Sequence, residues 1–305
     1  MGAGAAEEPT RHAPGRLTRT TASKQTAPTL YQRELGTLLS SLRAERGLTV
    51  EEVAETLICS PSRIRALEAA VDPPTAQDLD DLRALFKVDD TTRDQLMDLA
   101  QKAQQQGWWA KYEDLGLPYI GLEQHASSIT SYTMWYFPAL LQTREYARAI
   151  IEGIAPKMSA RILEQRIDAR LRRQHILNAK NLLRYQVLLD EAVLQRPVGG
   201  HAVMRAQLDK ALTLIREGKA TVRIVPFDTG AHAALDSNFV LLDFEEPGPA
   251  PVVYVEGLTT HRNLVERKED IDRYREAIDS LQKAALSAEE SMRLVAQARR
   301  SYRSG

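Results

Sequence analysis

The stretch TVEEVAETLICSPSRIRALEA, residues 49–69, predicts two short helices joined by a tight turn. Thr49 followed by Glu52 is a capping-box pair, so a helix should begin there. Ser60 and Pro61 mark a second start, because serine caps a helix and proline is tolerated at the first helical position. Apolar residues recur at spacings of three and four in both segments, so both helices can bury one face in a common core. The pattern predicts a helix-turn-helix.

The second helix of such a motif lies in the major groove of DNA, while the first helix crosses the phosphate backbone. In helical projection Ser62, Arg63 and Ala66 lie opposite the apolar face. Arg63 is the best candidate for a base contact, because a guanidinium can bond O6 and N7 of guanine. Ser60 and Arg65 are better placed for phosphate. The alternative is an ordinary pair of packed helices with solvated arginines, which spacing alone does not exclude. The candidate DNA-binding residues are Thr49, Ser60, Ser62, Arg63, Arg65 and Ala66.

The residues on both sides of this motif carry a family resemblance. The run LGTLLSSLRAERGLTVEEVAETLICSPSRIRALEAA, followed by TAQDLDDLRALFKV, resembles the five-helix DNA-binding domain of Xre-type repressors. The resemblance implies that Arg43 and Glu68 pair as a structural bridge across the domain. Two positions depart from the family pattern. Val50 stands where a glutamine usually contacts phosphate, and Ala66 stands where a basic residue is usual, so the family's DNA contacts do not carry over to these two positions.

The charge of the chain limits how it could bind DNA. The sequence has 40 basic and 41 acidic residues, which gives no general nucleic-acid signature. Residues 31–72 hold five arginines against seven acidic residues, a net charge of −2. We therefore expect weak general binding with a steep dependence on salt. A homodimer, which presents two helix-turn-helix domains to paired half-sites, would strengthen binding to double-stranded DNA.

Three features predict where the protein is found. Its single cysteine, Cys59, cannot form an intrachain disulfide, which favours a reducing compartment. No apolar run approaches the length of about 18 residues that spans a bilayer. The N-terminus lacks the apolar core of a signal peptide. We expect a soluble, cytoplasmic protein that does not associate with a membrane.

Composition and pattern divide the chain into four segments. Residues 1–28 are rich in Ala, Gly, Thr and Pro and should form a disordered tail. Residues 29–106 should form the helix-turn-helix domain. Residues 107–290 should form a C-terminal module that binds a ligand or a partner, and residues 291–305 a last helix and tail.

The C-terminal module carries a second and more specific resemblance. The motifs GWWAKY, YIGLE, FPALLQT, YARAI, VLLDEAVLQRPVGG, VRIVPFDTGAHAALDSNFVLLDF and VVYVEGL follow one another in this order. This succession is similar to the C-terminal module of a large group of Xre-type regulators from filamentous bacteria, in which the module is a domain of unknown function. Together the two resemblances cover about residues 35–290. They imply a transcriptional regulator, often encoded beside a very small partner protein. One departure is Ala139, where the family commonly has glycine.

The secondary structure of the module can be predicted in outline. A strand LRYQVLLD, a helix over residues 201–217 and a strand TVRIVPF form a strand–helix–strand unit, so the two strands should be parallel. The strands NFVLLDF and PVVYVEG, separated by a turn rich in Pro and Gly, should be antiparallel. The run ITSYTMWYF also alternates as a strand does, and helices are expected over 160–184, 269–286 and 288–300. The expected fold class is α+β: an N-terminal five-helix DNA-binding domain followed by an α/β module with a small mixed sheet and flanking helices.

The join between the two halves is dense in aromatic residues. One interpretation is a packed contact between domains, since Trp and Tyr bury large areas and keep a polar tip. The other is an aromatic-lined pocket for a small effector or a partner segment. The candidate pocket residues are Trp108, Trp109, Tyr132, Trp135, Tyr136 and His232. Residues 160–184, with a net charge of +5, could contact DNA or an acidic partner, although a solvated basic face is the commoner meaning.

An enzyme in the C-terminal half is the least favoured alternative, and it would need turnover that depends on His232 or Asp236. Histidines and carboxylates near strand ends can serve in acid–base catalysis, and the candidates are Asp190, Glu191, His201, His232, Asp236, Glu256 and His261. However, the sequence has no metal-binding spacing, phosphate-binding glycine loop or nucleophile elbow. We therefore predict no catalytic residue, no metal ligand and no cofactor.

The sequence predicts a sequence-specific DNA-binding transcriptional regulator whose C-terminal module binds an effector or a small co-encoded protein. Occupancy of the module would alter the spacing of the two helix-turn-helix domains in the dimer. The alternative is an antitoxin-like interaction protein, which sequesters the small partner and uses DNA binding to autoregulate its operon.

Overall fold

The computed structural model describes residues 29–105, 107–112, 117–178, 184–245, 249–256 and 263–302. The expected tail over residues 1–28 lies outside these ranges. His261 and the side chain of Glu256, two of the acid–base candidates, also lie outside them.

The N-terminal half is a bundle of five helices, as predicted. They are α1 (Leu30–Glu45), α2 (Val50–Thr56), α3 (Pro61–Glu68), α4 (Ala76–Phe86) and α5 (Asp90–Gln104). Each helix begins after a residue whose side-chain oxygen accepts a hydrogen bond from a backbone N–H of the first turn, namely Thr29, Thr49, Ser60, Thr75 and Asp89. One core joins the five helices and includes Leu35, Leu39, Val53, Ile64, Leu82 and Phe86.

The C-terminal half is built on a six-stranded mixed sheet with the order β3-β2-β1-β4-β5-β6. The strands are β1 (Ser128–Thr133), β2 (Arg184–Asp190), β3 (Thr221–Val225), β4 (Asn238–Asp243), β5 (Val252–Glu256) and β6 (Asn263–Val265). The strands β1, β2 and β3 are parallel, whereas β4, β5 and β6 continue the sheet in antiparallel pairs. The predicted parallel and antiparallel pairs are therefore confirmed, and so is the α+β fold class.

Helices cover both faces of this sheet. They are α6 (Leu117–Glu123), α7 (Arg144–Ile154), α8 (Ala160–Arg173), α9 (Ala192–Gln195), α10 (His201–Arg216), α11 (Lys268–Ala284) and α12 (Ala288–Ser301). Alternate strand residues enter two separate cores, because successive side chains of a strand point to opposite faces. Val187 and Ile224 pack with α10 and α12, whereas Leu188 and Val225 pack with α11.

Two predicted elements are shorter in the structure. The helix expected over 160–184 ends at Arg173 and continues as a 3₁₀ turn, Gln174–Asn178. At this point the amide of Gln174 donates to the backbone carbonyls of Ala139 and Gln142, so the chain is held against another segment. The strand ITSYTMWYF ends at Thr133, whose hydroxyl donates to the carbonyl of Tyr136 and closes a turn.

The last helix is part of the C-terminal module. α12 crosses the boundary that the sequence placed between residues 290 and 291. The hydroxyl of Ser291 accepts from the backbone N–H of Ile224 in β3, and the Tyr302 hydroxyl donates to the carbonyl of Leu194. Val295 is fully buried in the same core. No helix in the described ranges is long and apolar enough to cross a bilayer.

The two halves meet at the beginning of α1. Leu30 is buried in the C-terminal core, while Leu35 of the same helix is buried in the N-terminal core. The ring of Tyr31 lies edge-on to that of His125, with 5.1 Å between ring centroids. Arg33 forms an ion pair with Glu266. A single helix therefore contributes to both hydrophobic cores.

Candidate nucleic-acid interface

The turn between α2 and α3 has the geometry of a Schellman motif. The backbone N–H of Cys59 donates to the carbonyl of Ala54 at 2.9 Å, and that of Ile58 donates to Glu55 at 3.2 Å. Ile58 takes the left-handed position, with φ of 53° and 94% of its surface exposed. Glycine usually occupies this position, because a β-branched side chain is strained there. The turn directs α3 away from α2 at the cost of one strained residue.

The exposed face of α3 is formed by a few small and basic side chains. Ile64 and Leu67 are buried against the core, whereas Ser62 and Arg65 are exposed. Arg65 has 59% of its side chain exposed, and it forms an ion pair with Glu51 of α2, which is 61% exposed. Both partners are free to exchange this pair for other contacts, since an exposed ion pair contributes little. This face is available to enter a groove.

Arg63 points away from that exposed face in this structure, and its contact with a base stays a prediction. Its guanidinium forms an ion pair with Asp72 and a second one with Asp78 of α4, at 2.8 Å. Only 27% of its side chain is exposed. Burial alone lowers the pKa of Arg63, but the hydrogen bonds and charges of Asp78 and Asp72 outweigh it and raise the pKa. Arg63 therefore holds α3 against α4.

The other predicted contacts divide between capping and exposure. Thr49 and Ser60 are exposed, but their hydroxyls accept the backbone N–H groups of Glu52 and Arg63 and so cap α2 and α3. Ala66 is half-buried. Of the six candidates, Ser62 and Arg65 are exposed and do not cap a helix.

Arg43 and Glu68 form the bridge that the family resemblance implies. Nε and Nη2 of Arg43 donate to the two carboxylate oxygens of Glu68 at 2.6 and 2.9 Å. Nη1 donates to the carbonyl of Leu48 at 2.9 Å. The side chains are only 18% and 13% exposed, so the bridge joins α1, α3 and the start of α2 inside the domain.

The first helix of the motif presents acidic side chains to solvent. Glu51, Glu52 and Glu55 of α2 are all exposed. The backbone N–H and hydroxyl of Thr49 donate to Glu52 and lower its pKa, so this carboxylate is charged at neutral pH. Because α2 is the helix that would cross the phosphate backbone, its charge opposes general DNA binding.

The six predicted pocket residues do not all line one cavity. Tyr132 and His232 meet on the sheet face that α11 covers, with 3.3 Å between the hydroxyl and Nε2. Trp108 packs edge-on to Trp109 and lies under the guanidinium of Arg172. The remaining pair, Trp135 and Tyr136, lines a cavity of about 700 Å³. Tyr136 also lines a smaller cavity of about 50 Å³ together with Tyr132. Trp108, Trp109 and His232 line neither of these two cavities, so neither one unites all six residues.

The cavity also includes residues that the sequence did not indicate. Tyr119 of α6 and Tyr254 of β5 line it, and so do four arginines, Arg166, Arg170, Arg173 and Arg196. Three of these arginines belong to the basic stretch over 160–184, for which the sequence favoured a solvated face over a contact with DNA or with an acidic partner. Arg166, Arg170 and Arg173 are spaced by four and three residues, so the sequence does indicate that they share one face of α8.

Two of the acid–base candidates that the structure describes lie near Tyr132: Nε2 of His232 is 3.3 Å from the Tyr132 hydroxyl, and burial together with the charge of Asp190 raises the pKa of Tyr132. The Asp190 carboxylate accepts from the backbone N–H of Ala192, and the Glu191 carboxylate accepts from that of Phe227. His201 lies edge-on to Tyr302, on another part of the module. In the part of the chain that the structure describes, no group of three or more His, Cys, Asp or Glu residues could hold a metal ion.

Comparison with known families assigns both halves. Residues 118–297 match the model of a domain of unknown function (DUF5753), and residues 34–96 match that of a helix-turn-helix domain. No curated protein and no solved structure gives a significant match. The first match alone covers more than half of the chain, and the second coincides with the five-helix bundle. The chain therefore belongs to the DUF5753 family and carries a helix-turn-helix domain on its N-terminal side.

Proposed function

We propose that the protein is a sequence-specific DNA-binding transcriptional regulator that acts as a homodimer in the cytoplasm. The observation that carries the proposal is the helix-turn-helix. In its second helix Ile64 and Leu67 are buried in the core, whereas Ser62 and Arg65 are exposed to solvent. In this arrangement Ser62 and Arg65 enter the major groove, and Arg63 and the Arg43–Glu68 bridge hold the domain together.

The acidic surface of α2 supports the dimeric form of the proposal. A single domain with a net charge of −2 over residues 31–72 gains little from phosphate neutralisation. Two linked domains on paired half-sites gain affinity because the second binding event is intramolecular. The C-terminal module would bind an effector or a small co-encoded protein and change the distance between the two domains.

The test is binding to the DNA upstream of the gene that encodes the protein, measured by fluorescence anisotropy over a range of salt concentrations. A scrambled duplex of equal length reports general binding. Arg65→Ala should weaken specific binding by about 1–3 kcal/mol if Arg65 contacts a base. If it contacts phosphate instead, both duplexes should bind less tightly and the salt slope should fall by about one.

Arg83→Ala is the matched control, because Arg83 is an exposed arginine on α4 of the same domain, paired with Asp80. It should leave the specific affinity unchanged. Failure of the intact protein to prefer the upstream duplex, or equal losses in Arg65→Ala and Arg83→Ala, would contradict the proposed interface. Light scattering of the protein in solution tests the homodimer.

An antitoxin-like role is the alternative. It makes capture of a small co-encoded protein the main activity and DNA binding a means of autoregulation. Co-purification of a stoichiometric small protein with the intact chain would favour it, provided that the operator affinity does not respond to that protein. We propose no catalytic activity, since the polar side chains near the strand ends serve local hydrogen bonds.

A further inference from the structure

The C-terminal module contains a cavity large enough for a small molecule. It has a volume of about 700 Å³ and is bounded by α6, α7, α8, β5 and the segments that follow β1 and α9. Small-molecule sites typically occupy about 300–1,000 Å³. The cavity lies on one side of the sheet, away from the Tyr132–His232 contact.

Aromatic and aliphatic side chains form much of its wall. The rings of Tyr119 and Tyr254 are stacked, with 4.2 Å between centroids and 28° between planes. Trp135 lies at the rim with 38% of its surface exposed, and Ile154 of α7 is 60% exposed there. Exposed large apolar residues around a cavity are typical of a binding site, because they lose contact with water when a ligand covers them.

The charged groups of the wall are all positive. Among the described lining residues there are four arginines and no aspartate or glutamate. One of the four, Arg173, is neutralised by Glu123, to which it donates two hydrogen bonds at 2.7 Å. The acidic residues of α8 lie elsewhere: Glu164 pairs with Arg144 and Arg148 of α7, and Asp168 pairs with Arg144.

Arg166 carries the strongest indication of a ligand. Within the ranges that the structure covers it has no ion pair, and its Nε is buried without a hydrogen-bond partner. A buried donor without an acceptor is rare in native structures and requires an explanation. Arg196, which is exposed, contributes a second guanidinium to the same cavity. A guanidinium binds a carboxylate or a phosphate through two parallel hydrogen bonds.

We propose that this cavity binds a small organic anion. Its carboxylate or phosphate group contacts Arg166 and Arg196, and its flat apolar body lies between the Tyr119–Tyr254 stack and Trp135. Such an anion would be the effector of the regulator, and only this link to transcription rests on the proposed function. An apolar body supplies the area that the aromatic wall buries, and the anionic group supplies the acceptor that Nε of Arg166 lacks.

The test compares two fluorescent probes of nearly the same shape on the intact protein. Anilinonaphthalene sulfonate carries one negative charge, and phenylnaphthylamine is its uncharged analogue. The sulfonate should bind saturably at one site and more tightly than the uncharged probe. Arg166→Met should weaken sulfonate binding about tenfold or more and leave the uncharged probe unaffected, because it removes the charge and retains an apolar chain.

Two further variants make the result decisive. Arg161→Met removes an exposed arginine from the same helix, outside the cavity, and should bind both probes as the wild type does. Arg196→Met alters the exposed guanidinium and should also weaken binding of the sulfonate selectively. Wild-type sulfonate affinity in both Arg166→Met and Arg196→Met, or equal affinity of the native protein for the two probes, would overturn the proposal.

The outcome is independent of DNA. Selective loss of the sulfonate in the arginine variants, together with no preference of the native protein for its upstream DNA, would keep the anion site and reject the regulator. Specific DNA binding without selective probe binding would keep the regulator and reject the anion site.

Discussion

Replacement of Arg43 by methionine should destabilise the helix-turn-helix domain by about 3 kcal/mol. Breaking a buried ion pair by removal of one partner costs about 3–5 kcal/mol, because the other charge stays buried without compensation. The side chains of Arg43 and Glu68 are 18% and 13% exposed, so water partly solvates the stranded carboxylate and the lower end of the range applies. Loss of the hydrogen bond to the Leu48 carbonyl acts in the same direction.

The double variant Arg43→Met with Glu68→Met should be less destabilised than the single Arg43→Met variant. When both partners become apolar and keep their approximate length, no buried charge remains, and such exchanges are often close to neutral. We expect a net cost of about 1 kcal/mol. The two single effects should therefore be strongly non-additive, as contacting residues are in double-mutant cycles.

Urea unfolding followed by circular dichroism gives the free energies, and hydrogen exchange of α1 and α3 shows that the change is local. Arg93→Met is the control, because Arg93 forms only exposed pairs with Asp90 and Asp94 on α5. It should not shift the unfolding midpoint measurably. An unchanged midpoint in Arg43→Met, or single effects that simply add in the double variant, would refute the role of the bridge.

Four other predictions concern single residues. Ile58→Gly should stabilise the domain by about 1 kcal/mol in urea unfolding, because Ile58 is exposed and strained at φ of 53°, whereas Ile58→Ala should not. Gly36→Ala should destabilise it by about 1–3 kcal/mol by the same measurement, since a Cβ there would overlap the backbone carbonyl of Glu68. Burial raises the pKa of Asp78, but hydrogen bonds from Thr75 and the Arg63 charge outweigh it and lower the pKa below the usual 3.8. Because the pKa of Asp78 is lowered in the folded state, its stabilising effect is complete above about pH 4 and is lost as the pH falls through the folded pKa. Asp78→Asn should therefore make the urea midpoint less dependent on pH in the acidic range. Glu51→Gln should raise the affinity for DNA of any sequence in anisotropy titrations, because it releases Arg65 and removes a charge that repels phosphate. A fall in affinity would mean that Glu51 positions Arg65 instead.

Local signals in the sequence predicted the helical domain well. The caps at Thr49 and Ser60 act within one turn of helix, so their residue types suffice to place α2 and α3. Periodicity likewise predicted which residues of α3 are buried. The direction of Arg63 could not be predicted in this way, because helical projection gives an angle around the axis and not the position of the acidic residues on α4.

The cavity could not be predicted from the sequence, because it is formed by segments that are far apart along the chain. Tyr119 and Tyr254 stack across more than a hundred residues, and no local pattern relates them. The arginines of α8 were visible as a charge run, but a charge run is normally solvated. The packing of α7 on α8 forms the cavity that Arg166 and Arg170 line, and the sequence does not show this packing. Of the aromatic residues that the sequence grouped together, Trp135 and Tyr136 line this cavity, whereas Trp108 packs against Trp109 and Arg172.

The placement of α1 limits how such a protein can be divided. Leu30 is buried in the C-terminal core and Leu35 in the N-terminal core. A truncation that separates the two domains would therefore remove one of these side chains from the core in which it is buried. Recombination that exchanges DNA-binding domains between relatives would have to preserve the first turn of this helix along with its contacts to His125 and Glu266. If the module rotated about this turn, the parts of the helical bundle farthest from it would move the most.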